Sequence, residues 1–254
     1  MAFFIGRGRI ANAVMAFAMV LLIGPLQAKA ELINIQFQSS GFAFSGPAAD
    51  PLLGGTWNQL TTGGNGTSGL LANSTGGTTA ASVTWTGGGI WNRPNGFGSP
   101  AAGSSALMTS YLYNVGTGSQ TITFDNLQHD TTYKLYIYTQ PDNSYDAGGR
   151  QLTVSVNGGA TQTATPSSTT ASTYIPGQNY LAVTGTTNSI GQLQITYNGG
   201  GIGPKNEADI NGIQLYSAPA PEPSTYVLMG IGGLLVASFR LKRDTLLSSE
   251  GREG

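Results

Sequence analysis

The chain has 254 residues, only 9% of them charged, and its 38 glycines accompany many Ser, Thr and Asn, a composition typical of extracellular all-β proteins and unlike a cytoplasmic enzyme. Between Glu31 and Tyr216 four cations stand against eight carboxylates, a net charge of −4, which argues against nucleic acid as a partner because phosphate binding needs a basic face. There is no cysteine, so disulfide stapling and thiol chemistry are excluded and an exported fold must rest on its hydrophobic core, with or without metal.

At the start, Arg7 and Arg9 precede an apolar run from Ala11 to Gly24, and Ala28-Lys29-Ala30 supplies a small-x-small cleavage site. Residues 1–30 are therefore expected to be a secretory signal helix, read by the general secretion machinery and cut after Ala30. From Glu31 the period is two. Ile33, Ile35 and Phe37 alternate with Asn34, Gln36 and Gln38, a strand with one buried face. Gly41 to Gly55 is irregular, Trp57 and Leu60 follow, and Thr61 to Thr79 reads as loop crossed by a short Leu70-Leu71 strand. Val83 and Trp85 mark a strand. Gly87 to Gly103 reads as loop, unusual in carrying Trp91, Arg93 and Asn95, before strands at Leu107 to Tyr113 and Thr121 to Phe124.

The clearest core signal is Tyr133 to Tyr138, with Tyr133, Leu135 and Ile137 facing one way and Lys134, Tyr136 and Tyr138 the other. Leu152, Val154 and Val156 alternate next, ending in the tight-turn pair Asn157-Gly158. Tyr180 to Thr184, Leu193 to Tyr197 and Ile210 to Tyr216 complete about nine strands, and Ile210 falls out of phase with Ile213 and Leu215, which reads as a bulge at Asn211-Gly212. The expected fold is an all-β, two-sheet antiparallel sandwich, jelly-roll-like, over residues 31–217, with first and last strands paired.

After the body, 218–225 is a proline-rich stalk containing Pro221-Glu222-Pro223-Ser224, biased to extended geometry. Tyr226 to Phe239 then carries no charge, and Arg240-Leu241-Lys242-Arg243 closes the segment ahead of a tail over 244–254. Fourteen apolar residues are short of the ~20 a span needs, so 226–243 is expected to be a short membrane helix, its cations held on the cytoplasmic side. An extended backbone beside a membrane suits a processing enzyme that grips a linear peptide.

Pro221, Glu222 and Pro223, the short glycine-bearing apolar run, and Arg240, Lys242 and Arg243, in that order, resemble the PEP-CTERM sorting signal of Gram-negative bacteria. The resemblance implies recognition by an exosortase, an integral membrane cysteine protease. It also implies a precursor held transiently in the inner membrane, delivery of the body to the envelope or outside, and association with exopolysaccharide. The body, through Thr132 to Tyr138, Arg150 to Gly158 and Ala208 to Leu215, more loosely resembles galactose-binding-like and malectin-like jelly rolls, a resemblance that informs fold and not ligand.

Chemistry is sparse. His129, the only histidine, stands in a polar stretch between two strands and reads as a turn residue, and no Gly-x-Ser-x-Gly elbow is present, so no catalytic residue is assigned. Asp142, Ser144 and Asp146 place oxygen ligands at alternating positions, a candidate structural calcium loop that fails as an EF-hand because Ala147 and Thr153 replace the required glycine and glutamate. No other cofactor is expected. Trp91, Arg93 and Asn95, with Trp57, are the candidate glycan-binding residues, since an exposed aromatic ring stacks on the apolar face of a sugar. The function expected is a non-catalytic structural or adhesive component of the envelope or polysaccharide matrix. A carbohydrate-binding module holding exopolysaccharide is the alternative, and an extracellular hydrolase the weakest reading.

Overall fold

The computed structural model describes residues 31–39, 43–92, 105–140, 150–166, 174–200 and 206–217. The expected signal helix, stalk, membrane helix and tail lie outside the described residues. Those residues hold fourteen strands and one helical turn. In chain order the strands are β1 (Leu32–Phe37), β2 (Asn58–Leu60), β3 (Gly66–Thr67), β4 (Ser82–Trp85), β5 (Gly89–Asn92), β6 (Ser110–Val115), β7 (Gln120–Asp125), β8 (Thr132–Tyr138), β9 (Leu152–Val156), β10 (Gln162–Ala164), β11 (Tyr180–Thr186), β12 (Leu193–Gly199), β13 (Glu207–Ile210) and β14 (Gly212–Ser217). The turn of helix, α1 (Ser105–Met108), precedes β6 and takes the start of what reads in sequence as a strand. The extra strands β2, β3, β5, β10 and β13 are two to four residues long, too short to display an alternating pattern.

Two large sheets form the body. One has the order β11-β8-β14-β1-β2 and the other β10-β9-β12-β7-β4-β3, while β13-β6-β5 make a smaller third sheet. All pairings are antiparallel except β1 with β2. Period-two alternation sends one face of each large sheet inward. Ile33, Ile35 and Phe37 of β1, Tyr133, Leu135 and Ile137 of β8, and Ile213 and Leu215 of β14 share one core with Val83, Trp85, Ile122, Phe124, Val154 and Ile195 from the opposing sheet. The Asn157-Gly158 turn forms as expected between β9 and β10. Both residues take left-handed backbone, φ 49° and 69°, and Gly159 N donates to Val156 O at 2.9 Å.

Two expectations change. The polar residues of β1 do not face solvent, because Asn34 and Gln36 are fully buried beneath the segment 43–57. That cover brings Phe44, Leu53 and Trp57 against Tyr136 and Tyr138 of β8 and Leu107 of α1, forming a second apolar cluster on the outer side of the five-stranded sheet. Nor is Asn211 a bulge. The chain changes sheet there, from β13 in the small sheet to β14 in the large one, and that change puts Ile210 out of phase. Asn211 is fully buried at the switch. Its Oδ1 accepts from Gln140 N at 2.6 Å and its Nδ2 donates to Ser110 O at 2.9 Å.

Candidate functional site

The ends of the body are tied together. β14 pairs with β1 along its length, Leu32 opposite Tyr216 and Gln36 opposite Gly212. Ser217 N donates to Glu31 O at 2.9 Å, and Glu31 N donates to Ser217 Oγ at 3.0 Å. Glu31 is further held by Tyr133, whose hydroxyl donates to Glu31 Oε2 at 3.1 Å, and burial raises the Glu31 carboxyl above its ordinary value. The residue that follows the expected signal cleavage and the residue that precedes the stalk thus sit side by side on central strands. A pull on the stalk is resisted by a whole ladder of backbone hydrogen bonds.

The glycan candidates separate. Trp57 is 5% exposed. It lies edge-on to Phe44 at 5.1 Å and tilted against Tyr138 at 6.1 Å, and its indole N–H donates to Gly46 O at 3.0 Å. No ring face is left for a sugar, so Trp57 packs the cover of the five-stranded sheet. The same holds for Tyr138, whose hydroxyl donates to Gln214 Oε1 and accepts from Ala49 N, and for Tyr136, which is buried and donates to Asp50 Oδ2 at 3.1 Å. Trp91 is different. It lies on β5, not in a loop, opposite Tyr111 at the edge of the small sheet, and is 53% exposed. Its neighbour Asn92 accepts at Oδ1 from Ser39 N at 3.1 Å, which ties the end of β5 to the residues after β1. Arg93 and Asn95 lie outside the described residues.

The calcium candidates Asp142, Ser144 and Asp146 also lie outside the described residues, and among the described residues no group of three or more His, Asp or Glu is placed to hold a metal. Glu207 and Asp209, carboxylates near the last strand, are engaged elsewhere. Arg150 reaches Asp209 at 2.9 Å and Glu207 at 3.2 Å, all three residues being buried. One guanidinium thus faces two carboxylates. Burial and the like charge of Glu207 push Asp209 up to about 8 against the pull of Arg150. The sequence offered no signal for this cluster, since Arg150 lies 59 residues from Asp209. His129 is exposed, in the turn between β7 and β8.

The body is similar to solved structures at low identity. The ANX2 ectodomain from Arabidopsis thaliana is 11% identical, with a TM-score of 0.46 over 75% of this chain and 51% of that one. A family 35 carbohydrate binding module from Clostridium thermocellum is 15% identical, with a TM-score of 0.32 over 51% of this chain and 91% of that one. The CBM35 from Paenibacillus barcinonensis is 16% identical, with a TM-score of 0.32 over 52% and 91%. The chain spans about half the length of the plant ectodomain. No curated protein matches. At the other end of the chain, past the last strand, residues 219–243 match the PEP-CTERM protein-sorting motif, and the chain therefore carries a PEP-CTERM sorting signal.

Proposed function

We propose that the protein is exported, loses residues 1–30 after Ala30, and is held in the inner membrane by 226–243 until an exosortase removes that helix. The body over 31–217 then serves as a non-catalytic structural or adhesive component of the envelope or extracellular polysaccharide matrix. The observation that carries this reading is the sorting motif at 219–243, starting two residues after β14 ends at Ser217. That spacing leaves only a short extended link between a hydrogen-bonded strand and the segment to be gripped. Pro221 to Pro223 presents linear backbone to the enzyme, and Arg240, Lys242 and Arg243 hold the helix in one orientation. The experiment is replacement of those three cations by glutamine. Misoriented or unprocessed precursor is the expected result, and normal delivery of the variant counts against the assignment.

A second reading, a carbohydrate-binding module, is favoured by Trp91. An indole half exposed on an edge strand offers a flat apolar face for a sugar ring, with the Asn92 side chain next to it. Binding on a glycan array that is abolished by Trp91→Ala supports this reading, whereas binding unchanged by the substitution removes it.

A further inference from the structure

A cleft lies where the two large sheets come together at one side. Its walls come from β2, the edge of the five-stranded sheet, and from β3, the edge of the six-stranded sheet, together with the residues on either side of them. The cleft measures about 280 Å3 and no residue lining it is charged. Two of its lining side chains carry buried polar atoms without a hydrogen-bond partner, Gln59 Oε1 and Trp85 Nε1. The Gln59 amide is fixed the right way round, because its Nε2 donates to Trp57 O at 3.2 Å and a carbonyl accepts only from the NH2 side. Trp85 is 3% exposed. A Cβ on Gly66 would stand 2.4 Å from Trp85 Cε2, the carbon that bears Nε1, so the indole N–H sits beside the glycine edge of β3.

An unmet acceptor and an unmet donor in one cleft are unusual, since native proteins pair nearly all such buried atoms. We propose that the cleft binds one neutral sugar residue, with Trp85 Nε1 donating to a hydroxyl and Gln59 Oε1 accepting from one. A hydroxyl donates and accepts alike, so a polyhydroxylated ring satisfies both atoms. An ion would enter without a counter-charge, and a hydrocarbon would leave both atoms unmet. Thr62 and Thr67 add hydroxyls to the wall, and Leu70, 64% exposed, offers an apolar rim for the C–H face of the ring. The volume falls below the ~300–1,000 Å3 of pockets for drug-sized ligands, which suits a single ring. This site goes beyond the sorting route and is separate from the Trp91 surface.

The three tryptophans make the test direct. The full chain, 15N-labelled and held in detergent, gives three indole N–H signals, assigned with Trp57→Phe and Trp91→Phe. Methyl glycosides of glucose, galactose, mannose and N-acetylglucosamine are titrated in. The expected result is a saturable shift of the Trp85 signal with at least one glycoside while the Trp57 signal stays still. Gln59→Leu should weaken that binding about tenfold with no fall in melting temperature, because it removes an acceptor that nothing in the free protein satisfies. A shift confined to Trp91 would move sugar binding to the other surface and overturn the proposal. So would an unmoved Trp85 signal with a cross-peak to a long-lived water, showing a cleft that holds water only. Neither outcome touches the sorting reading, whose test is made on the C-terminal cations.

Discussion

Asn211 is the point at which a single side chain decides how the last two strands divide between sheets, and Asn211→Ala tests that role. The substitution leaves the backbone bonds of residue 211 in place, Asn211 N to Tyr138 O at 2.9 Å and Phe37 N to Asn211 O at 3.0 Å. It removes the acceptor of Gln140 N and the Nδ2 donor of Ser110 O, both on buried residues. A buried polar group stripped of its partner costs roughly 1–3 kcal/mol, so two such groups cost about 3–4 kcal/mol after partial relaxation. In a body of this size each kcal/mol lowers the melting temperature by about 2–4 °C, so the variant should melt roughly 8–12 °C lower. Circular dichroism melts at neutral pH read the shift directly. A fall of less than about 3 °C would refute the reasoning, because the sheet change would then be held by backbone pairing alone.

The remaining predictions draw on other parts of the body. The Arg150 cluster should make the protein less stable as pH rises. Asp209, raised to about 8 by burial and by Glu207, keeps a proton in the native state that the unfolded chain releases near the ordinary value of 3.8. Between those values the native state holds more protons, so unfolding free energy falls by at most about 1.4 kcal/mol per pH unit until pH passes 8. Melts from pH 5 to 8 should show that fall and Asp209→Asn should flatten it, whereas melting temperatures that climb over this range would contradict the account. Trp57→Ala should cost about 3–5 kcal/mol, since it empties the centre of the outer apolar cluster, while Trp91→Ala should change stability by less than about 0.5 kcal/mol. Denaturant titration separates the two, and equal effects would mean that the contrast in their burial is misplaced. Gly66→Ala should cost about 1–3 kcal/mol, because the new Cβ would meet Trp85 Cζ2 at 2.2 Å, and an unchanged denaturation midpoint would count against that contact.

Much of the inner core was legible because hydrophobic alternation reports a face directly. Tyr133, Leu135 and Ile137 point inward as their spacing requires, and so do Val154 and Ile195 across the sandwich. The outer face was not legible. Asn34, Gln36 and Gln214 are polar and read as exposed, yet they are buried because Thr56, Ala106 and Leu53 carbonyls supply their hydrogen bonds from the covering segments. Burial of that kind depends on a loop with no periodicity of its own. Asn211 shows a related limit, since a break in phase looks the same whether a strand bulges or leaves its sheet. For the candidate sites, Trp91 was legible as an aromatic without core spacing, while Trp57 shared that appearance and proved to be packing. The cleft beside β3 left no sequence trace, because Gln59 and Trp85 meet only through the closing of two sheet edges. The sorting signal was the most legible feature of all, being linear and carried by neighbouring residues.

The central claim is that residues 219–243 are an instruction to hold the body at the membrane and then cut it free. The mass of the protein recovered from the envelope fraction of a strain that makes an exosortase tests this most directly. The account predicts a species that begins at Glu31 and has lost Tyr226 to Arg243. A mature species still carrying Leu228 to Phe239 in such a strain would contradict it.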